Sequence, residues 1–232
     1  MSSGEVLRGG DMNVVVRVGD TVRRPPLPEP VRELLRWYER AGFDGAPRYL
    51  GVDEQGRDVL SYVEGEPAFA PVPSSDEVVA AIGRLLRRAH DAQDGFGAAP
   101  PGLVVAHFDL FWTNVVFRDG LPAALIDWEL ARPAPRTLEV ALAATYWAGV
   151  RIDEQLREWG IPLERRGERL RLLCDAYGLD AAARSSLLEE LIAFRRARIA
   201  SGAFRGTTPV EVIRANLRWT EEHAPELDTF LA

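Results

Sequence analysis

Turn residues and β-branched stretches crowd the first 66 positions of the chain, and helical periodicity takes over from about residue 74. That order constrains the fold more tightly than any composition figure. Residues 5–8, 13–18 and 21–24 read as a three-strand meander that turns at Gly9-Gly10-Asp11 and at Gly19-Asp20 and is stopped by Pro25-Pro26. Residues 28–42 follow as a helix, with Val31, Leu34, Leu35 and Tyr38 on one face. A hairpin over 48–52 and 58–63 comes next, and Glu64-Gly65-Glu66-Pro67 breaks the pattern. The Pro-, Ala- and Ser-rich stretch 67–75 has the composition of a connector. Ser74 as N-cap with Glu77 three residues on predicts a capping box, opening a helix that runs to about Asp91 through Val78, Ile82, Leu85, Leu86 and Ala89. Further helices are expected over 137–149, 152–159, 165–177, 180–200 and 208–222. Gly178 ends the third of these five, and Thr208-Pro209-Val210-Glu211 opens the last. Strands first and helices afterwards predict a two-lobed α+β architecture. Residues 1–66 would form a small antiparallel sheet with one helix, and 67–232 a larger, mainly helical lobe containing a hairpin.

Composition narrows the chemistry. A chain of 232 residues can bury a substantial core. No apolar run approaches the roughly 18 to 20 residues needed to span a bilayer. The opening Met1-Ser2-Ser3-Gly4-Glu5 has neither the basic flank nor the apolar run of a signal peptide, so the cytoplasm is the expected compartment. The single cysteine, Cys174, excludes a disulfide framework and a cysteine-based zinc site. A net charge of −7 makes nucleic acid and anionic membranes poor partners, and a cationic small molecule would suit it. The chain has no lysine; all 28 basic residues are arginine. A P-loop and a Schiff-base lysine are therefore excluded, and any phosphate cation must be an arginine.

The stretch from His107 to Glu129 reads H-F-D-L-F-W-T-N-V-V-F-R-D-G-L-P-A-A-L-I-D-W-E. Residues 115–117 and 123–126 form a hairpin around Arg118-Asp119-Gly120-Leu121. Asn114 immediately precedes the first strand and Asp127 immediately follows the second, so both belong at the hairpin's open end. Asp109 lies in the loop that feeds the first strand and can reach the same place. Oxygen ligands gathered there suit Mg²⁺, which usually takes a few protein oxygens together with water and substrate phosphates. Phosphoryl transfer needs little else: a carboxylate on the acceptor hydroxyl and a cation on the nucleotide phosphates.

The spacing H-x-D-x-x-x-x-N followed by I-D-W-E resembles the aminoglycoside phosphotransferase family, which is related to the choline and ethanolamine kinases and shares the protein-kinase-like fold. The resemblance runs over nearly the whole chain. It implies Asp109 as catalytic base, Asn114 and Asp127 as Mg²⁺ ligands, and His107 as the residue that orients the catalytic loop. It implies ATP or GTP as phosphoryl donor and a hinge near 61–64, with Tyr62 and Val63 as nucleotide-binding candidates. Gly9 and Gly10 belong to the one stretch available to cover the phosphates. The phosphate cation falls on Arg23 or Arg24; Val22 and Arg24 share a strand face, so Arg24 points to the phosphates if Val22 lies under the adenine. Its acidic partner would be Glu33 or a residue nearer Val31 on the first helix.

Acceptors of the aminoglycoside or amino-alcohol type follow from the same resemblance, with Asp153, Glu154, Glu221 and Glu222 as candidate acidic contacts. Trp128 and Phe108 read as core residues, while Glu129 could face the substrate or pair with an arginine. A second reading from a different class is a catalytically weak or inactive binding or immunity protein on the kinase fold. The missing lysine favours it, and the intact Asp109, Asn114 and Asp127 oppose it.

Overall fold

A computed structural model of the chain describes residues 5–7, 14–69, 74–202 and 209–232. Gly9 and Gly10, the expected phosphate-covering turn, lie outside these, as does Thr208. The first elements are β1 (Glu5–Val6), β2 (Val16–Val18), β3 (Thr21–Arg24), helix α1 (Glu29–Arg40), β4 (Tyr49–Val52) and β5 (Asp58–Ser61). They build a five-stranded antiparallel sheet in the order β1-β2-β3-β5-β4, with Arg24 opposite Asp58 in the register of β3 and β5. The expected strand over 58–63 stops at Ser61, although the Tyr62 amide still donates to the Asp20 carbonyl. Helix α1 buries Val31, Leu34, Leu35 and Tyr38, as its spacing predicted. Asp58, fully buried, ties that helix to the sheet. Its carboxylate accepts from the Leu27 amide at 2.7 Å, from Arg32 at 2.8 and 3.0 Å and from the Tyr49 hydroxyl at 3.2 Å.

A short strand β6 (Glu66–Pro67) was not expected where the sequence reads as a break. It pairs with β8 (Val115–Arg118), which pairs in turn with β9 (Leu121–Leu125). Gly65 permits the approach: a Cβ there would sit 2.4 Å from the Phe117 carbonyl oxygen, at a φ of +124°. A second unexpected pair joins β7 (Val104–Ala106) to β10 (Arg132–Ala134), bringing the chain before the His107 loop against the chain after Asp127. Strands of two or three residues carry too little alternation to be seen in sequence.

Helix α2 (Asp76–Asp91) packs on α3 (Arg136–Trp147), on α5 (Arg166–Tyr177) and on β9. The short α4 (Asp153–Trp159) and the long pair α6 (Ala181–Ser201) and α7 (Val210–Leu231) complete the helical part. The cap of α2 is Ser75 rather than Ser74: Ser75 Oγ accepts from the Val78 amide, while the Ser74 carbonyl takes Arg169. Helix α7 runs well past the expected stop at residue 222, through Pro225. Proline there removes a backbone donor, but Leu227 and Leu231 are buried and Phe230 packs over Gly167 of α5. Tertiary packing overrides the local signal. Among the described residues no helix is long and apolar enough to cross a membrane.

Gly83 sets how closely α2 meets α5. A Cβ at that position would lie 2.8 Å from the Leu173 carbonyl oxygen and 3.0 Å from Ala176 Cβ. Gly83→Ala should therefore destabilise the fold by about 1–3 kcal/mol despite alanine's better helix propensity. Urea denaturation monitored by tryptophan fluorescence will read it; an unchanged or raised midpoint would show that the helices can part without cost.

Candidate active site

The loop that carries Asp109 has no regular structure of its own, so side chains from elsewhere must hold it. His107 is fully buried. Its Nε2 donates to the Ile126 carbonyl at 2.9 Å, and its Nδ1 accepts from the Asp109 amide at 3.3 Å. A neutral imidazole with its proton on Nε2 meets both contacts, which links the Asp109 loop to the end of the strand leading to Asp127. Trp128 packs edge-on against the ring at 4.6 Å and donates its indole N–H to Leu125. Phe108 is half-buried with a φ of +66°, a conformation costly for a non-glycine residue.

Glu139 of α3 sustains that conformation. Its side chain is buried in a mainly apolar helix, and its Oε1 accepts from the backbone amides of His107 (2.5 Å) and Phe108 (3.0 Å). Its Oε2 accepts from His90 Nε2 at 2.7 Å, and His90 Nδ1 meets the Tyr177 hydroxyl at 2.8 Å. The loop and α2 thus converge on one carboxylate of α3, with Tyr177 of α5 behind His90. Sequence reasoning missed Glu139 and His90. The signal available was a lone polar residue on an apolar helix face in each case, and buried polar groups are found where hydrogen bonds wait for them.

Asp109 and Asn114 meet directly. Asn114 Nδ2 donates to the Asp109 carboxylate at 2.9 Å and to its carbonyl at 3.1 Å. Both amide hydrogens are thereby spent, and the Asn114 oxygen is the end left for a ligand. Burial pushes the Asp109 pKa up, and the nearby charge of Asp127 adds to that, while the bond from Asn114 opposes it. The Ile126 amide donates to the Asn114 carbonyl at 2.9 Å, closing the hairpin's open end between the two candidate ligands. Asp127 takes a left-handed conformation, φ +63° and ψ +57°, as the chain swings from β9 into a single turn of 3-10 helix. At the far end of the hairpin, Asp119 (φ +52°) and Gly120 (φ +80°) supply the two positive φ values of a tight turn.

Arg24 joins the strand sheet to this centre. It is 5% exposed, and its guanidinium donates to Asp127 Oδ1 at 2.7 Å and to Glu129 Oε2 at 2.6 Å. Arg23, its neighbour in β3, donates to Thr21 Oγ1 and lies 3.7 Å from Asp53. Alternation along the strand separates the two arginines. The expected partner on α1 is absent from this cluster: Glu33 is exposed, Val31 is buried among apolar side chains, and Glu129 takes the place of a helix acid. Tyr62 has its amide on Asp20 and Arg17 stacked 3.6 Å above its ring, and Val63 beside it is half-buried.

The donor set fits a hard cation. Among the described residues no three His, Cys, Asp or Glu side chains converge as a metal cage. A Mg²⁺ ion would rest on one carboxylate, one amide oxygen and the oxygens of its own ligands, which is its usual habit. Two of the four acids expected near an acceptor are already paired. Asp153 pairs with Arg157 and Arg166, Glu221 pairs with Arg196, and Glu154 and Glu222 are exposed.

Comparison with known proteins bears on the family and the fold. Residues 94–173 match the model of the phosphotransferase enzyme family, APH. The trifolitoxin immunity protein of Rhizobium leguminosarum bv. trifolii is 36% identical over 207 residues, covering 81% of this chain and 79% of that protein. The Plasmodium vivax ethanolamine kinase superposes with a TM-score of 0.67 at 13% identity, over 97% of this chain and 84% of that one. APH(2")-IIa, in its ternary complex with streptomycin and ATP, superposes with a TM-score of 0.55 at 13% identity, over 94% of this chain and 93% of that one. The fold is the two-lobed kinase-like fold of these structures, mixed α+β with an antiparallel sheet.

Removing the Glu139 carboxylate leaves two buried amides without an acceptor. Glu139→Ala should destabilise the protein by about 3–5 kcal/mol, whereas Glu139→Gln, which keeps an acceptor oxygen, should cost clearly less. Chemical denaturation of the two variants side by side measures it. Equal losses would mean that the amides are not held through that oxygen.

Proposed function

The chain belongs to the phosphotransferase enzyme family, and from that premise we propose that it transfers the γ-phosphoryl group of ATP or GTP to a hydroxyl of a small molecule. The observation that carries the proposal is the meeting of Asp109, Asn114, Asp127 and Arg24 around one hairpin end. Asp109 is the base. Its raised pKa strengthens it as a proton acceptor, and the bond from Asn114 fixes which way it faces. The acceptor oxygen attacks the γ-phosphorus, its proton passes to the Asp109 carboxylate, and the bond to the β–γ bridging oxygen breaks. Asn114 and Asp127 would hold Mg²⁺, which when bound neutralises phosphate charge. Arg24 is the phosphate cation in preference to Arg23, since it faces Asp127 while Arg23 lies with Asp53. Glu129 holds Arg24 in place. His107 orients the loop and takes no part in proton transfer.

A second reading is an immunity protein that protects by binding, without turnover. The name of the rhizobial relative favours it, as does the engagement of Asp127 by Arg24. Inactivating a toxic molecule by phosphorylation would reconcile the two readings.

Mg·ATP and Mg·GTP should each be titrated against wild type and Asp127→Ala in a thermal-shift experiment. The proposal expects wild type to gain about 2.7 kcal/mol at a hundredfold excess over Kd, and Asp127→Ala to gain little. No shift at millimolar nucleotide would favour protection without catalysis. For turnover, Asp109→Ala should lower kcat by about 10²–10⁴-fold in a coupled nucleotide-consumption assay over hydroxylated substrates. Turnover that survives the substitution would overturn Asp109 as base.

A further inference from the structure

The aromatic residues that flank Asp109 lead in two directions to the same group of arginines. On one side Phe108 packs against Phe194 of α6 at 5.8 Å. Phe194 and Arg198 are four residues apart on that helix and share its face, and Arg195 lies three residues before Arg198. On the other side Phe111 meets Tyr146 edge-on at 5.6 Å, and Arg151 lies 5.1 Å over the Tyr146 ring and 4.6 Å over that of Trp159. Arg195 closes the ring of contacts by donating to the Val150 carbonyl at 3.3 Å, next to Arg151.

These arginines carry charge that the protein leaves uncompensated. Arg195 is 8% exposed, and its guanidinium donates only to neutral acceptors: the Val150 and Asn216 carbonyls and the Thr220 hydroxyl. Arg151, also buried, donates to the Gln155 amide oxygen at 2.6 Å. Arg198 is half-buried, and among the described residues it has no ion-pair partner. Elsewhere Arg24, Arg32, Arg166 and Arg196 each meet a carboxylate, while the buried Arg169 stands alone on the Ser74 and Trp147 carbonyls, with no second buried cation beside it among the described residues. Burial, together with the repulsion of Arg151 and Arg198, pushes the Arg195 pKa down to about 9, so it stays charged at neutral pH. Three cations held together away from carboxylates are costly unless an anion completes them.

We propose that this cluster binds the anionic group of the acceptor, so that the molecule phosphorylated is a hydroxylated carboxylic acid rather than a cation, its carboxylate on Arg198 and Arg151 and its hydroxyl toward Asp109. The proposal rests on the phosphotransfer reading for the fate of the hydroxyl, though the anion site stands on its own geometry. Aromatic walls from Phe108, Phe111 and Tyr146 cover the apolar part of such a molecule. Asp153 and Glu221, the acids that would have welcomed an amine, are matched to arginines of their own.

Isothermal titration of the full chain with D-glycerate, D-gluconate, inorganic phosphate, choline and streptomycin tests it, on wild type, Arg198→Gln and Arg198→Lys. Thermal melts verify that each variant is folded. The hydroxy acids should bind wild type about tenfold or more tightly than choline, lose about tenfold in Arg198→Gln and recover part of it in Arg198→Lys. Three results would overturn the proposal: no binding of either hydroxy acid, binding of phosphate alone, or binding that is unchanged in Arg198→Gln. A parallel Mg·ATP thermal shift keeps the two readings apart. Hydroxy-acid binding without a nucleotide shift keeps the anion site and removes the kinase, and the converse keeps the kinase and removes the anion site.

Discussion

A single buried carboxylate fixes the loop on which the candidate chemistry depends. Glu139 accepts two consecutive backbone amides of the His107–Phe108 segment and a third hydrogen bond from His90. Without that acceptor, the positive φ of Phe108 would have nothing to offset its cost. Asp109 inherits its position from this anchorage. Its own amide then bonds His107, whose other nitrogen reaches the strand that ends at Asp127. The candidate base and the candidate metal ligand are thus referenced to one another through a neutral imidazole and a backbone carbonyl, both deep in the core.

The second dependency runs between the strand sheet and the helical part. Arg24 crosses from β3 to Asp127 and Glu129, and it is nearly inaccessible to solvent where it does so. In a chain without lysine the planar guanidinium can engage two carboxylates at once, which a compact ammonium does less well. Because both acids lie in the I-D-W-E segment, the cation is organised by the same turn that presents the candidate metal ligand. Helix α1 is left to a different task, tied through Arg32 to the buried Asp58.

Much of this was legible in residue order. The helical stretches, the hairpin and the placing of Asn114 and Asp127 at its open end follow from periodicity and from where a hairpin must begin and end. Other features were not. Helix α7 continues through Pro225 because Leu227, Phe230 and Leu231 pack against distant residues, and no local rule contains that information. Ser75 caps α2 in place of Ser74, whose carbonyl accepts from Arg169 of α5. Glu139 and His90 looked like ordinary interruptions of apolar faces, and their partners are 31 to 87 residues away in sequence.

The sequence by itself determined the class of architecture and the oxygen-rich centre, because strand alternation, helix periodicity and a two-strand turn are short-range properties. It also determined that any phosphate cation is an arginine, since lysine is missing. Tertiary structure decided which arginine faces Asp127, which acid holds it and what charge surrounds the aromatic residues beside Asp109. Those outcomes depend on burial and on contacts between elements far apart in the chain. Negative overall charge suggested a cationic partner, yet the side chains gathered beyond Phe108 and Phe111 are Arg151, Arg195 and Arg198. Net charge is a sum over the surface, whereas recognition is set by the few groups that lie close together where burial leaves their fields least screened.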